Sequence, residues 1–216
     1  MHALPPLDQP VQWLIFALDG IGIFVFAISG AALALRERLD LFGVLLMAFV
    51  TALFGGILRD ILLGATPPET LTSWHNAAIA LSGGVFTIAA GSWIGRLDKP
   101  VRLFDAIGLG LFTAAGAAKA LEFGVHPLMA PAVGMVVGIG GGILRDMLVT
   151  RTPLVLQAEI YAVAALAGGF AVVACDFLGL PAQPSMLAGA LLCLTLRLLA
   201  LYRGWTLWHP PRPPGL

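Results

Sequence analysis

Gly55-Gly56-Ile57-Leu58-Arg59-Asp60-Ile61-Leu62-Leu63 recurs in the same chain as Gly141-Gly142-Ile143-Leu144-Arg145-Asp146-Met147-Leu148-Val149. The copies stand 86 positions apart (141 − 55 = 86). Each joins two helix-weakening glycines to an Arg-Asp pair inside a stretch otherwise apolar enough to sit in a membrane. Flexible backbone and buried charge suit a polar path through a bilayer, and a lipid-facing helix has no use for either.

Around the motif the register holds without gaps. Asp19 and Gly22 match Asp105 and Gly108, Phe26 matches Phe112, and Gly30-Ala31-Ala32 matches Gly116-Ala117-Ala118. Between 55–67 and 141–153, nine of thirteen positions are identical, Thr66-Pro67 and Thr152-Pro153 among them. Apolar low-complexity sequence yields chance Leu and Ala matches, not a Gly-Gly-x-x-Arg-Asp repeated in register with an upstream Asp.

Composition sets the solvent. The 216 residues are 59% hydrophobic and only 11% charged, with mean hydropathy +0.93. Soluble domains run near 45–50% apolar and about 25% charged. A multi-pass membrane protein follows, forming a single transmembrane domain over 1–216. The net charge of +0 names no partner, and no basic, aromatic-interleaved patch points to nucleic acid. Cys175 and Cys193 read as small apolar residues without metal-ligand spacing. The first ten residues lack the basic start of a signal peptide. No nucleophile–base pattern, Walker A loop or HExxH helix argues for an enzyme, a cofactor or a metal site.

A span needs about 20 mostly apolar residues. Seven are expected, near 13–35, 41–63, 75–95, 103–122, 128–149, 157–178 and 185–203. Repeat one is thus about 13–95, repeat two about 103–178, and the seventh helix lies outside both. Three spans per repeat is an odd number, so the second copy enters the membrane inverted. Loop charge orients the whole. Arg36, Arg38, Arg96, Lys99, Arg102, Arg151, Arg203 and Arg212 fall on one side, and the other side has no Lys or Arg. The positive-inside rule then puts the N-terminus outside and the C-terminus in the cytoplasm. Trp13, Trp74, Trp93, Trp205 and Trp208 fall near span ends, where aromatic anchors sit.

The intramembrane charges are the candidate site. Asp19, Arg59, Asp60, Asp105, Lys119, Arg145, Asp146 and Arg197 lie inside expected spans, at about 2.5–3.5 kcal/mol or more per mid-bilayer charge. Two readings of Gly55-Gly56 and Gly141-Gly142 stay open. They either bend or unwind the helix and free carbonyls for a cation, or let helices pack closely. Arg59 and Arg145 either line a path with Asp60 and Asp146, or form structural ion pairs. Asp19 and Asp105 each find the simplest partner in an Arg of the same or the opposite repeat. Lys119 has no counterpart, since Leu33 stands at its place in repeat one; it either acts on permeation or snorkels. Arg197 is expected to snorkel or to hold a subunit contact, and His75 and His126 to be ordinary interfacial residues.

Seven spans as two three-span repeats plus one, with Gly-Gly-x-x-Arg-Asp in spans two and five, resemble the trimeric intracellular cation (TRIC) channel family in its prokaryotic branch. The resemblance runs from about Leu14 to Tyr202. It implies a homotrimer in the cell inner membrane with a pore through each protomer, and potassium as main permeant ion, with sodium possible. It puts Gly55, Gly56, Gly141 and Gly142 at pore kinks. Arg59 and Arg145 then fall in the pore region, with Asp60 and Asp146 as charge partners. A secondary transporter of a small solute such as glycine is the other reading, because inverted repeats are the architecture of alternating access.

Overall fold

The computed structural model describes residues 9–94, 100–157 and 160–205. Arg96, Lys99, Arg212, Trp208 and the first eight residues, which entered the charge count, the anchors and the signal-peptide reading, lie outside the described residues. Within these, the chain is all-helical: α1 (Gln9–Arg36), α2 (Leu41–Leu62), α3 (Glu69–Thr72), α4 (Trp74–Ala89), α5 (Gly91–Ile94), α6 (Pro100–Glu122), α7 (Ala130–Leu148), α8 (Leu154–Gln157), α9 (Tyr161–Phe177) and α10 (Ala182–Arg203).

Five of these helices are long and apolar enough to cross a membrane: α1, α2, α6, α7 and α10. The expected span 75–95 is divided, and of the expected span 157–178 helix α9 takes Tyr161–Phe177. Helix α4 ends at Ala89, capped by Ala90, whose N–H turns back to the Phe86 carbonyl, and α5 adds one turn. The sixth is preceded by the separate turn α8. With 16 and 17 residues, α4 and α9 reach only about 24 and 26 Å at 1.5 Å per residue, short of a core about 30 Å thick.

Equivalent turns recur at the 86-residue offset. After α1, Leu39 N–H bonds Ala34 O at 3.0 Å; after α6, Val125 N–H bonds Ala120 O at 2.9 Å. After α2, Ala65 N–H bonds Asp60 O at 2.8 Å; after α7, Arg151 N–H bonds Asp146 O at 2.9 Å. The left-handed residue that closes each turn matches too: Arg38 (φ 56°) with Gly124 (φ 75°), and Gly64 (φ 71°) with Thr150 (φ 55°). The backbone therefore repeats even where the side chain does not suit it.

Helices α1 and α6 pack on each other, as do α2 and α7, while α4 covers α1 and α9 covers α7. Helix α10 lies against α6 and α9 only on the repeat-two side, apart from a slight contact with α1. Small residues such as Ala27, Ala31, Ala48, Ala117 and Ala164 are fully buried at these seams, as expected where lipid offers apolar surface outside and close packing holds helices together. Trp74, Trp93 and large apolar side chains such as Phe42, Leu128 and Phe177 face outward.

Thr150 is β-branched and held at φ 55° where repeat one has Gly64. The left-handed conformation costs roughly 1–2 kcal/mol, partly offset by the greater unfolded-chain entropy of glycine, about 0.5–1 kcal/mol. Thr150→Gly is expected to raise the thermal midpoint in detergent, equivalent to roughly 0.5–1 kcal/mol. A lowered midpoint would contradict this account of the turn.

Candidate functional site at the crossing of the two glycine-rich helices

The first glycine of each pair sets the crossing of α2 and α7. A Cβ on Gly55 would stand 2.6 Å from the Val137 carbonyl oxygen, and one on Gly141 would collide with the Thr51 carbonyl oxygen. Positions 51 and 137 are themselves 86 apart, so the contact is reciprocal. The same holds for α1 and α6. A Cβ on Gly22 would meet Phe112 at 2.9 Å, a Cβ on Gly108 would meet Phe26 at 2.8 Å, and the two rings pack with centroids 5.3 Å apart.

The second glycine makes room for polar groups. A Cβ on Gly56 would lie 2.5 Å from Thr70 Oγ1; one on Gly142 would lie 3.1 Å from Asp105 Oδ1 and 3.2 Å from Tyr161 Oη. Both diglycines lie within continuous helix, α2 and α7. All four glycines have neighbours that a Cβ would crowd, as close packing requires. At Gly55 and Gly141 the neighbouring helix presents a backbone carbonyl, which only a missing Cβ lets approach.

Beyond each diglycine the Arg folds back on its own Asp. Arg59 Nε donates to Asp60 Oδ1 at 2.9 Å, and Arg145 Nε to Asp146 Oδ1 at 2.8 Å. The other oxygen of each Asp accepts from the start of the next short helix. Leu154 N–H reaches Asp146 Oδ2 at 2.8 Å; the Thr70 N–H and hydroxyl reach Asp60 Oδ2 at 3.5 and 3.4 Å. Burial of these charges is thus compensated by pairing and by backbone donors.

From here the two halves diverge. Arg145 is fully buried, and its Nη1 also donates to Asp105 Oδ1 at 2.6 Å and to Ser29 Oγ at 2.7 Å. Tyr161 Oη donates to Asp105 Oδ2 at 2.6 Å, and the Arg197 guanidinium lies 4.8 Å from the Tyr161 ring centroid. In repeat one, Asp60 is held by a second cation instead. Lys119 Nζ stands 3.1 Å from Asp60 Oδ1 and 3.0 Å from the exposed Glu69 Oε2. Asp105 therefore pairs with the Arg of its own repeat. Asp19 does not, and among the described residues no ion pair reaches it; its neighbour Arg59 is turned to Asp60. Lys119 does not snorkel free but bridges two carboxylates. Arg197 is fully buried over an aromatic ring, neither snorkelling nor at the surface.

Two cavities flank opposite ends of α6. One, about 510 Å³, is lined by Arg36, Arg102, Arg151, Gln157 and Asp146, so it reaches the repeat-two ion pair. The other, about 560 Å³, is lined by Glu122, His126, Asp176 and Ser185 and touches none of the repeated charges. Arg151 also pairs with Glu37, tying the turn after α7 to the turn after α1.

Ser29, Glu69, Thr70 and Tyr161 join this network without any sequence signal. Their counterparts are Ala115, Val155, Leu156 and His75, so none belongs to the repeated pattern. Tyr161, one of only two tyrosines in so apolar a chain, was the nearest thing to a clue.

An all-helical, apolar chain folded around compensated internal charge is a membrane protein with a polar interior. A family model described as Glycine transporter matches it twice, at residues 16–91 and 102–176, with starts again 86 residues apart. A membrane protein of Deinococcus radiodurans described as UPF0126 is 44% identical over 195 residues, covering 88% of this chain and 87% of the relative. The Escherichia coli K12 inner membrane protein YadS, also UPF0126, is 35% identical over 202 residues, covering 93% and 95%. A solved TRIC cation channel superposes with a TM-score of 0.84 at 35% identity, covering 93% of this chain and 98% of that one. The chain belongs to the TRIC channel family, in its prokaryotic branch.

Removing one member of a buried pair leaves an uncompensated charge, at about 3–5 kcal/mol; a half-buried carboxylate without a partner carries no such penalty. Asp105→Asn is expected to lower the thermal midpoint of the purified protein far more than Asp19→Asn. Equal effects would show that the Asp105–Arg145 pair is not the stronger anchor.

Proposed function

We propose that the protein is a cation channel, mainly for potassium, with a pore through each protomer between two inverted three-helix repeats. The observation that carries this is the reciprocal crossing. Thr51 meets Gly141 while Gly55 meets Val137, and Gly22 meets Phe112 while Gly108 meets Phe26. Two bodies related by a twofold axis make such exchanged contacts, and bodies related by translation do not. Three crossings per repeat put that axis in the membrane plane, with α4 and α9 as the third span of each repeat and α10 as the seventh. The short α4 and α9 are accommodated by local thinning. Arg59 and Arg145 become the two ends of one path, Arg59 towards the outside and Arg145 towards the cytoplasm. The 510 Å³ cavity, with Arg36, Arg102 and Arg151, becomes the cytoplasmic mouth, in line with the positive-inside rule.

Positive side chains in a cation path are tolerable only when neutralised. Asp60 and Asp146 supply that at 2.9 and 2.8 Å. Opening then amounts to swinging an Arg with its Asp off the axis, helped by slight bending at the glycines. Lys119, 18% exposed at the side chain, adds an unrepeated charge on the outer side. The similarity to a TRIC cation channel supports the channel reading, and the family resemblance supports a homotrimer. YadS is an inner membrane protein, which supports the same location here.

The second reading, transport of a small solute such as glycine, draws on the Glycine transporter description of the matching family model and on the cavity that combines three arginines with Asp146.

Reconstitution in a planar bilayer under a potassium gradient tests the proposal. Unitary currents that reverse near the potassium potential are expected. A silent bilayer together with saturable glycine uptake into liposomes would overturn the channel and favour the transporter. In the conducting protein, Lys119→Met is expected to raise cation conductance about two- to fivefold, the ratio for roughly 0.4–1 kcal/mol of removed repulsion at about 1.4 kcal/mol per tenfold. Unchanged conductance would place Lys119 outside the ion path.

A further inference from the structure

Asp19 and Asp105 stand at matched positions, and only Asp105 is occupied. It accepts from Arg145 and from Tyr161, each at 2.6 Å. Asp19 has neither kind of partner. Its own Arg59 is turned to Asp60 at 2.9 Å, and the counterpart of Tyr161 is His75. Lys119 is divided between Asp60 and Glu69 at 3.1 and 3.0 Å. Asp19 is half-buried, and among the described residues no hydrogen bond or ion pair reaches it. The charges that act on it are Arg59 and Asp60 of α2, Glu69 of α3 and Lys119 of α6. It therefore faces the gap between those helices. Two cations stand there against three carboxylates, and the carboxylate left over is Asp19.

The opposite end of the same helices carries the opposite sign. Arg36, Arg102 and Arg151 line the 510 Å³ cavity, and Glu37, paired with Arg151, offsets one of them. Asp146 in that wall is already taken by Arg145 and by the Leu154 N–H. Asp19 and Arg36 lie 17 residues apart on α1 (36 − 19 = 17), about 25 Å at 1.5 Å per residue. That exceeds two Debye lengths in about 0.1 M salt, so towards the solution each mouth presents its own sign.

We infer that Asp19 recruits the permeating cation at its mouth, and that the path therefore rectifies, passing cations more readily from the Asp19 side than from the arginine-lined side. An unpaired carboxylate in so apolar a helix needs a counter-ion. Among the described residues no side chain supplies one, and a mobile cation does. The field of Asp19 raises the local cation concentration at one end, while Arg36, Arg102 and Arg151 lower it at the other. Recruitment changes how many ions arrive and leaves the middle of the path as it is, so it fades where salt screens it.

Recruitment rests on the conduction reading, so one measurement is made without current. In single channels with equal KCl on both sides, the wild type is expected to pass about two- to threefold more current in one direction at about 0.1 M. The two directions should become nearly equal at about 1 M, where the Debye length falls to about 3 Å. Asp19→Asn is expected to lose most of the asymmetry at the lower salt by weakening the larger current, and to match the wild type at the higher. Asp19→Glu should keep the asymmetry. Asp19→Cys in a Cys175→Ala background fixes the side: an anionic thiosulfonate reagent is expected to restore the asymmetry from one chamber only, with the larger current carried by cations leaving that chamber. Equal wild-type currents at about 0.1 M, an Asp19→Asn deficit that persists at about 1 M, or a larger current from the chamber opposite the reagent would overturn recruitment. Without current, the thermal midpoint of the purified protein is compared in KCl and in N-methylglucamine chloride of equal concentration. The wild type is expected to be more stable in KCl, and Asp19→Asn to show no difference. A wild-type protein that passes no current would overturn the proposed function. The midpoints would then decide Asp19 by themselves: a difference lost in Asp19→Asn supports cation capture, and equal wild-type midpoints refute it.

Discussion

The rest of the structure depends on two backbones touching. Helices α2 and α7 meet where Gly55 lies under the Val137 carbonyl and Gly141 under the Thr51 carbonyl. Inside a bilayer, lipid tails are as apolar as leucine, so helices gain little from hiding apolar surface and much from close contact. A Cβ at either position would push the helices apart. The repeated charges are arranged around that contact: one turn further along each helix the Arg-Asp pairs emerge, and the second glycine of each pair leaves the gap into which Thr70, Asp105 and Tyr161 reach.

Buried charge is the second constraint, and each half meets it differently. In repeat two the guanidinium of Arg145 is divided between two carboxylates and a hydroxyl. In repeat one the carboxylate of Asp60 is divided between two cations, Arg59 and Lys119. One half thus gathers acceptors around a cation, and the other gathers cations around an acceptor. Lys119 comes from α6 of the opposite repeat, and Arg197 from outside both. The matched glycines join the halves at their backbones, and unmatched residues such as Lys119 add polar links between them.

Much of this was legible in the chain. The 86-residue register displayed both Arg-Asp pairs, and the turns recur at the same offset because a repeated sequence in the same solvent repeats its local minimum. The same-repeat pairing of Asp105 with Arg145 was one of the open alternatives. Of the two open readings of the glycines, close packing is the one with contacts behind it, since the first glycine of each pair faces a neighbouring backbone carbonyl inside continuous helix. The partners of Lys119 and Arg197 were beyond reach of pattern. An unrepeated charge in an apolar run has no periodic companion, and Glu69 and Tyr161 lie 50 and 36 residues away from them.

By itself the sequence determined the solvent, the helical class, the repeat and which residue types had to be buried together, because hydropathy and register are properties of a string. Only the tertiary structure decided that the glycines face neighbouring helices, that Asp19 stands apart while Asp105 is clamped, and that α10 completes the cluster on one side only. Those outcomes depend on which side chains the packing of helices distant in sequence brings within reach of a shared partner. Two copies of one motif, given different neighbours, settle into different hydrogen-bond networks.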